Sequence, residues 1–175
     1  MKKTLLSLWV LLAGCAVAPP SGVTPISGFE LDRYLGKWYE IARLDHSFER
    51  GLSNVSATYD VRQDGGVRVR NRGYDDRAGI WKEAEGRAYF TDEPTVGSLK
   101  VSFFGPFYGG YHIVALDRVN YSHALVSGPS RDYLWILART RSMPPATLEN
   151  LLAQARALGF ATDRLILVKQ DRDDG

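Results

Sequence analysis

From Val55 to Arg62 the chain alternates. Val55, Ala57, Tyr59 and Val61 are apolar, and Ser56, Thr58, Asp60 and Arg62 between them are polar. A period of two puts these sets on opposite faces of a β-strand. Residues 63–66, QDGG, follow with the Asp-Gly pair of a tight hairpin. Alternation then resumes, with Val67 and Val69 on one face and Arg68, Arg70 and Arg72 on the other. In 80–90, Ala84, Gly86, Ala88 and Phe90 oppose Glu83, Glu85 and Arg87; in 98–104, Leu99, Val101 and Phe103 line up. Stretches 110–117, 121–128 and 133–139, with an opening strand near 38–44, bring the count to about eight strands. Turn-forming segments such as DEPTVG, GPFYGG and GPSRD separate them.

After residue 143 the period changes. Pro144 and Pro145 suit a helix start, and Gly159 suits its end. Leu148, Leu151, Leu152, Ala155 and Leu158 form one apolar stripe at helical spacing, which requires a partner surface. The outside of the sheet is the expected partner. A short last strand follows in 163–170, and a charged, loose tail in 171–175.

Eight antiparallel strands in sequence with one helix behind them allow a two-sheet sandwich or a closed up-and-down barrel. The expected inner faces mix small residues (Ala57, Ala84, Gly86, Ala88) with aromatics (Tyr59, Phe103, Trp135). Small residues around a barrel axis leave room for a ligand; an ordinary packed core is the other reading. Tyr59 shares its face with Val55 and Ala57. Trp135 shares one with Leu137 and Arg139, and Val69, Ala84, Ala88 and Phe103 are expected nearby. The same alternation from Trp38 places Glu40 inward with Ala42 and Leu44, and a buried carboxylate requires a partner.

The first residues do not belong to this domain. MKK is a basic start, and TLLSLWVLLAG is an apolar run too short to span a bilayer. Together they read as a secretory signal. It ends in LAGC, and Cys15 is the only cysteine, so no disulfide forms within the chain. Leu12 to Cys15 resembles the lipobox of bacterial lipoproteins. That resemblance implies cleavage before Cys15, acylation of its sulfur and new amine, and, with Ala16 next, sorting to the outer membrane. Residues 1–14 are thus expected as the signal, 15–28 (rich in Pro, Ser and Gly) as a lipidated tether, and 29–170 as the barrel domain.

Net charge is +2 and the arginines are scattered, so no nucleic-acid partner is expected. His46, His112 and His123 lie on separate segments without metal-ligand spacing, and each is expected at the surface or the pocket rim. No hydrolase, nucleotide-binding or zinc-protease motif occurs. Neither an enzyme nor a metal or other cofactor is expected.

Three blocks carry a family resemblance. GKWYE (36–40), ALDRVNYSHALV (115–126) and LWILAR (134–139) resemble, in order and spacing, the three motifs of the lipocalins. The second departs slightly, with Asp117 followed by Asn120 and Tyr121. YLGKWYEIARLDHSFERG, KVSFFGPFYGGY and RDYLWILAR are closest to the bacterial outer-membrane lipoprotein group of that family, to which apolipoprotein D is related. The resemblance implies an eight-stranded calyx in which Gly36 starts the first strand, Trp38 plugs the closed end and Arg139 lies against Trp38. It adds weight to Tyr59 and Trp135 as pocket residues. It further implies a fatty acid or lysophospholipid as ligand, dimerisation in some members, and an anchored domain facing the periplasm. The competing reading is a lipoprotein with a filled barrel that acts through protein contacts; an enzyme acting on lipids is a third.

Overall fold

The computed structural model describes residues 17–173. The expected signal, 1–14, and Cys15 lie outside the described residues. A short helix, α1 (Leu31–Tyr34), precedes eight strands: β1 (Gly36–Leu44), β2 (Leu52–Val61), β3 (Val67–Asp75), β4 (Ile80–Phe90), β5 (Ser98–Phe104), β6 (Phe107–Leu116), β7 (His123–Ser127) and β8 (Leu134–Ala138). Helix α2 (Pro145–Ala157) and a last strand, β9 (Leu165–Leu167), follow. Strands β2 to β8 pair in sequence, β8 pairs with β1, and β1 returns to β2, so the sheet closes into an antiparallel barrel. Closure removes the open edges that a sandwich would have to protect. Strand β9 lies outside the ring and pairs with β1.

Strand β1 divides its edge between two partners. Its first residues, Gly36 to Tyr39, pair with β2, whereas Ala42 to Leu44 pair with β9. Gln170 bridges the seam where β1 and β2 part, its Nε2 donating to the carbonyls of Glu40 (2.9 Å) and Val55 (2.8 Å). The register against β8 slips between Glu40 and Ala42, a β-bulge. The extra residue reverses the alternation. Glu40 points inward as expected, but Ala42 and Leu44 do not: they join the apolar layer outside the barrel, and Arg43 points in.

That outer layer forms where Leu151 and Ala155 of α2, with Leu148, Leu152 and Leu158 beside them, cover Ile41, Leu125, Leu134 and Ile136 of β1, β7 and β8. The helical stripe therefore meets the sheet exterior. Pro144 and Pro145 open the helix, and Gly159, with φ +83°, follows its end.

Two segments expected to be loose are bonded. In 17–28, Val23 is 4% exposed, Ile26 donates to the Ile113 carbonyl, and Gly97 donates to that of Ile26. A few apolar side chains among prolines suffice to seat the segment against the barrel. In the tail, the Arg172 N–H donates to Asn54 Oδ1, the Arg172 guanidinium lies 4.0 Å from the Tyr74 ring centre, and Arg141 meets Asp173.

Candidate functional site

The barrel has a packed floor and an open mouth. At the floor, Gly36 takes φ +88°, a conformation that other residues adopt only with strain. A Cβ there would meet Arg139 at 3.5 Å, ordinary contact, so the backbone angle rather than crowding calls for glycine. Trp38 is fully buried and donates from Nε1 to the Tyr34 carbonyl at 2.8 Å. The Arg139 guanidinium stands 4.0 Å from the Trp38 ring centre and donates to the carbonyls of Arg33, Lys37 and Tyr121. One cation thus covers the indole and ties three chain segments together at the closed end.

Above Trp38, three phenols form a chain: Tyr34 to Tyr111 at 2.7 Å and Tyr59 to Tyr111 at 2.8 Å. Burial raises the pKa of all three. Their hydroxyls satisfy each other, so aromatic bodies fill the floor without an orphaned polar group. Tyr59 is 6% exposed, with Val69, Ala88 and Leu137 buried in the same cluster and Ala57, Phe103 and Trp135 packed against it.

The upper half is different. Pairing sets Ala57 opposite Asn71 and Asn71 opposite Ala84, all on inner faces. Ala57, Val101, Phe103 and Trp135 are only half-buried, and Ala84 is exposed. Water therefore reaches the inner wall along β2 to β5. Phe103 lies over Gly86, where a Cβ would stand 2.9 Å from its ring. Val55 lies on the same face nearer the mouth, buried beside Leu52, where a Cβ on Gly73 would stand 3.2 Å from its side chain.

Sequence reasoning missed a buried polar cluster on one side of the mouth. Arg43 donates to Glu40 Oε1 at 2.7 Å and to the carbonyls of Glu49 and Leu52. Trp135 Nε1 donates to Glu49 Oε2 at 3.1 Å, and His46 Nε2 lies 3.1 Å from that oxygen. His46 stacks on Phe48 at 4.0 Å. The cluster holds the loop 45–51 over the barrel wall. Burial, and then the neighbouring Glu49, push the Glu40 carboxyl well above its ordinary range; burial also raises Glu49. Burial and the Arg43 charge lower His46 to about 4, so it is neutral at pH 7. The Arg43 guanidinium bonds the Glu40 carboxylate but only the backbone carbonyl of Glu49, and its charge opposes the effect of burial on both carboxyls. Only the inward placement of Glu40 pointed here, because the bulge hid Arg43.

Of the three histidines, each expected at the surface or the pocket rim, two are buried, and one of these, His46, belongs to the mouth-side cluster. His46 is 7% exposed, and His112 is fully buried with Nδ1 3.0 Å from Ser98 Oγ. His123 is half-buried beside Ser122. Among the described residues, no group of three or more His, Cys, Asp or Glu side chains is placed to hold a metal ion.

The same closed calyx recurs in insecticyanin from the tobacco hornworm, Manduca sexta, with a TM-score of 0.70 over 92% of this chain and 91% of that one, at 20% identity. The outer membrane lipoprotein Blc of Vibrio cholerae is 58% identical over 161 residues, 92% of this chain and 94% of its own. The protein of that name from Escherichia coli K12 is 54% identical, covering 93% and 91%. Residues 29–170, the barrel with its helix and outer strand, match the lipocalin-like domain. The floor plugged by Trp38 under Arg139, the open inner wall above it and these matches share one explanation: the chain belongs to the lipocalin family.

Proposed function

We propose that this protein binds a lipid with one acyl tail, a fatty acid or lysophospholipid, in the upper half of its calyx. It does so as an outer-membrane lipoprotein anchored through Cys15, with its domain in the periplasm. It is a carrier or store, not an enzyme. The observation that carries this reading is the inner wall of apolar positions open to water: Ala57, Ala84, Val101, Phe103 and Trp135. Such a wall gains free energy when an acyl chain displaces the water, about 0.8 kcal/mol per buried CH₂. Tyr59, Val69, Ala88 and Leu137 form the floor beneath the tail. The relatives named outer membrane lipoprotein support the location, and the LAGC sequence supports the anchor.

The filled-barrel reading draws on the tyrosine chain, which occupies the lower half. A plug separates the two. Ala84→Trp fills the water-reached half from an exposed position. In a titration with lysophospholipid below its micellar threshold, the folded variant is expected to lose affinity at least about tenfold. Unchanged affinity would place the ligand outside the calyx.

A further inference from the structure

The calyx mouth is bordered by exposed apolar side chains. Phe104 is 80% exposed, Phe107 67%, Phe48 60% and Ile80 53%. Phe104 and Phe107 flank the tip of the β5–β6 hairpin, Phe48 stands on the β1–β2 loop, and Ile80 opens β4 at the same end. From Ser98 to Leu116 there is no acidic residue. Two cations flank the tip: Arg87 donates to the Tyr108 hydroxyl, and Lys100 lies 5.2 Å from the Tyr108 ring centre. Phenylalanines beyond a girdle of tyrosine and cations suit the interface of an anionic bilayer.

A separate observation points the same way. The described chain begins at Val17, and Val17 lies on the outer face of that same hairpin. A Cβ on Gly110 would fall 2.6 Å from the Val17 carbonyl oxygen, so glycine lets the segment seat there. Val17 and Ala18 also lie against the buried His112. Gly110 is three residues from Phe107, about 10 Å along the strand. Cys15 is two residues before Val17, a reach of about 7 Å. Residues 17 to 26 run along this hairpin from Gly110 to Gly97 and Ile113, away from the mouth, so the chain enters the domain from the half of the hairpin nearer the phenylalanines.

We propose that the mouth rim, led by Phe104 and Phe107 with Phe48 and Ile80, docks on the phospholipid bilayer that holds the Cys15 anchor, so that a lipid passes between leaflet and calyx without crossing water. This rests on the acylated Cys15 and the calyx ligand of the reading above.

The test uses the full acylated protein in vesicles of phosphatidylethanolamine and phosphatidylglycerol. A nitroxide is placed through Phe107→Cys, and in a second sample through Val119→Cys, an exposed position at the opposite end. The label at 107 is expected to be open to oxygen and shielded from a water-soluble nickel chelate, and the label at 119 the reverse. Equal access of the chelate to both sites overturns the proposal. So does a mature protein without acyl chains on Cys15, or shielding of 107 without vesicles at the mass of a dimer, which would assign the rim to a second copy. The Phe104→Ser/Phe107→Ser protein is expected to take up lipid from vesicles about tenfold more slowly while binding dissolved lysophospholipid normally. Unaltered uptake overturns the proposal. Failure of the wild-type protein to bind dissolved lysophospholipid would overturn the calyx reading, while the labels still judge docking.

Discussion

Glu40 and Arg43, three residues apart on one strand, meet inside the barrel at 2.7 Å because β1 bulges between them. Regular alternation would put them on opposite faces. The bulge turns a strand pair into a buried ion pair, and the backbone carbonyl of Glu49 accepts a further bond from Arg43. Removing one member of such a pair leaves the other charge buried, at a cost of about 3–5 kcal/mol. Glu40→Ala is therefore expected to destabilise by that amount in urea unfolding, and Glu40→Ala/Arg43→Met by less. A double variant less stable than the single one would show that the pair is not the source.

The cluster makes stability depend on pH in two opposed ways. His46 has a lowered pKa, about 4, so its contribution is present above the unfolded value near 6.5 and is lost as pH falls towards 4. His46→Gln is expected to remove up to about 3 kcal/mol of that acid sensitivity. The Glu49 carboxyl is raised, so its contribution is present below the ordinary carboxylate range and is lost as pH rises through the higher folded value. Glu49→Gln, whose amide oxygen still accepts from Trp135, is expected to gain on the wild type as pH rises from 4.5. Parallel stability curves for these variants and the wild type would refute both assignments.

Trp38 and Arg139 are expected to be energetically coupled. Trp38→Ala should destabilise by about 3–5 kcal/mol, as large core truncations do. In a double-mutant cycle with Arg139→Ala, the coupling should exceed about 0.5 kcal/mol, from the cation over the indole and the shared floor. Strict additivity would mean that the 4.0 Å contact carries no energy.

Trp135 is the expected reporter of ligand. It stands half-buried on the inner wall, whereas Trp38 lies sealed in the floor. Trp135→Phe should remove most of the lipid-induced fluorescence change while a displacement assay still detects binding. Persistence of the full signal would assign it to another tryptophan.

Cys15→Ser should stop incorporation of labelled acyl chains and leave the signal uncleaved by the lipoprotein peptidase. Normal labelling of the variant would remove the anchor, and the orientation argued from it.

Much of this fold is legible because period-two alternation is a local property. Strands β2 to β5, the hairpin at Asp64-Gly65 and the stripe on α2 follow from neighbours in sequence. The bulge at Glu40–Ala42 is not local: β1 bulges where β8 and β9 pair on its two edges, and one added residue exchanged Ala42 and Leu44 for Arg43 on the inner face. The tyrosine chain was hidden for another reason. Tyr34, Tyr59 and Tyr111 lie on three elements, and only tertiary packing brings their hydroxyls together. The segment 17–28 misled through composition: its prolines resemble a linker, and the binding is done by Val23 and Ile26.

The seam beside Gln170 has a kinetic consequence. Its Nε2 reaches the Glu40 carbonyl across 130 positions of chain, and β1 waits for β8 and β9 before both its edges are paired. During synthesis or export, a chain that has emerged only through β7 holds a curved, unclosed sheet with β1 unpaired on one side. Such long-range closure folds slowly, and its open edges are sticky until then. The ring therefore cannot close until β8 is present, and the β1 seam is bridged only at residue 170. Chains truncated before β8 should be cleaved by added protease far faster than full-length chains, and chains truncated between β8 and Gln170 at an intermediate rate.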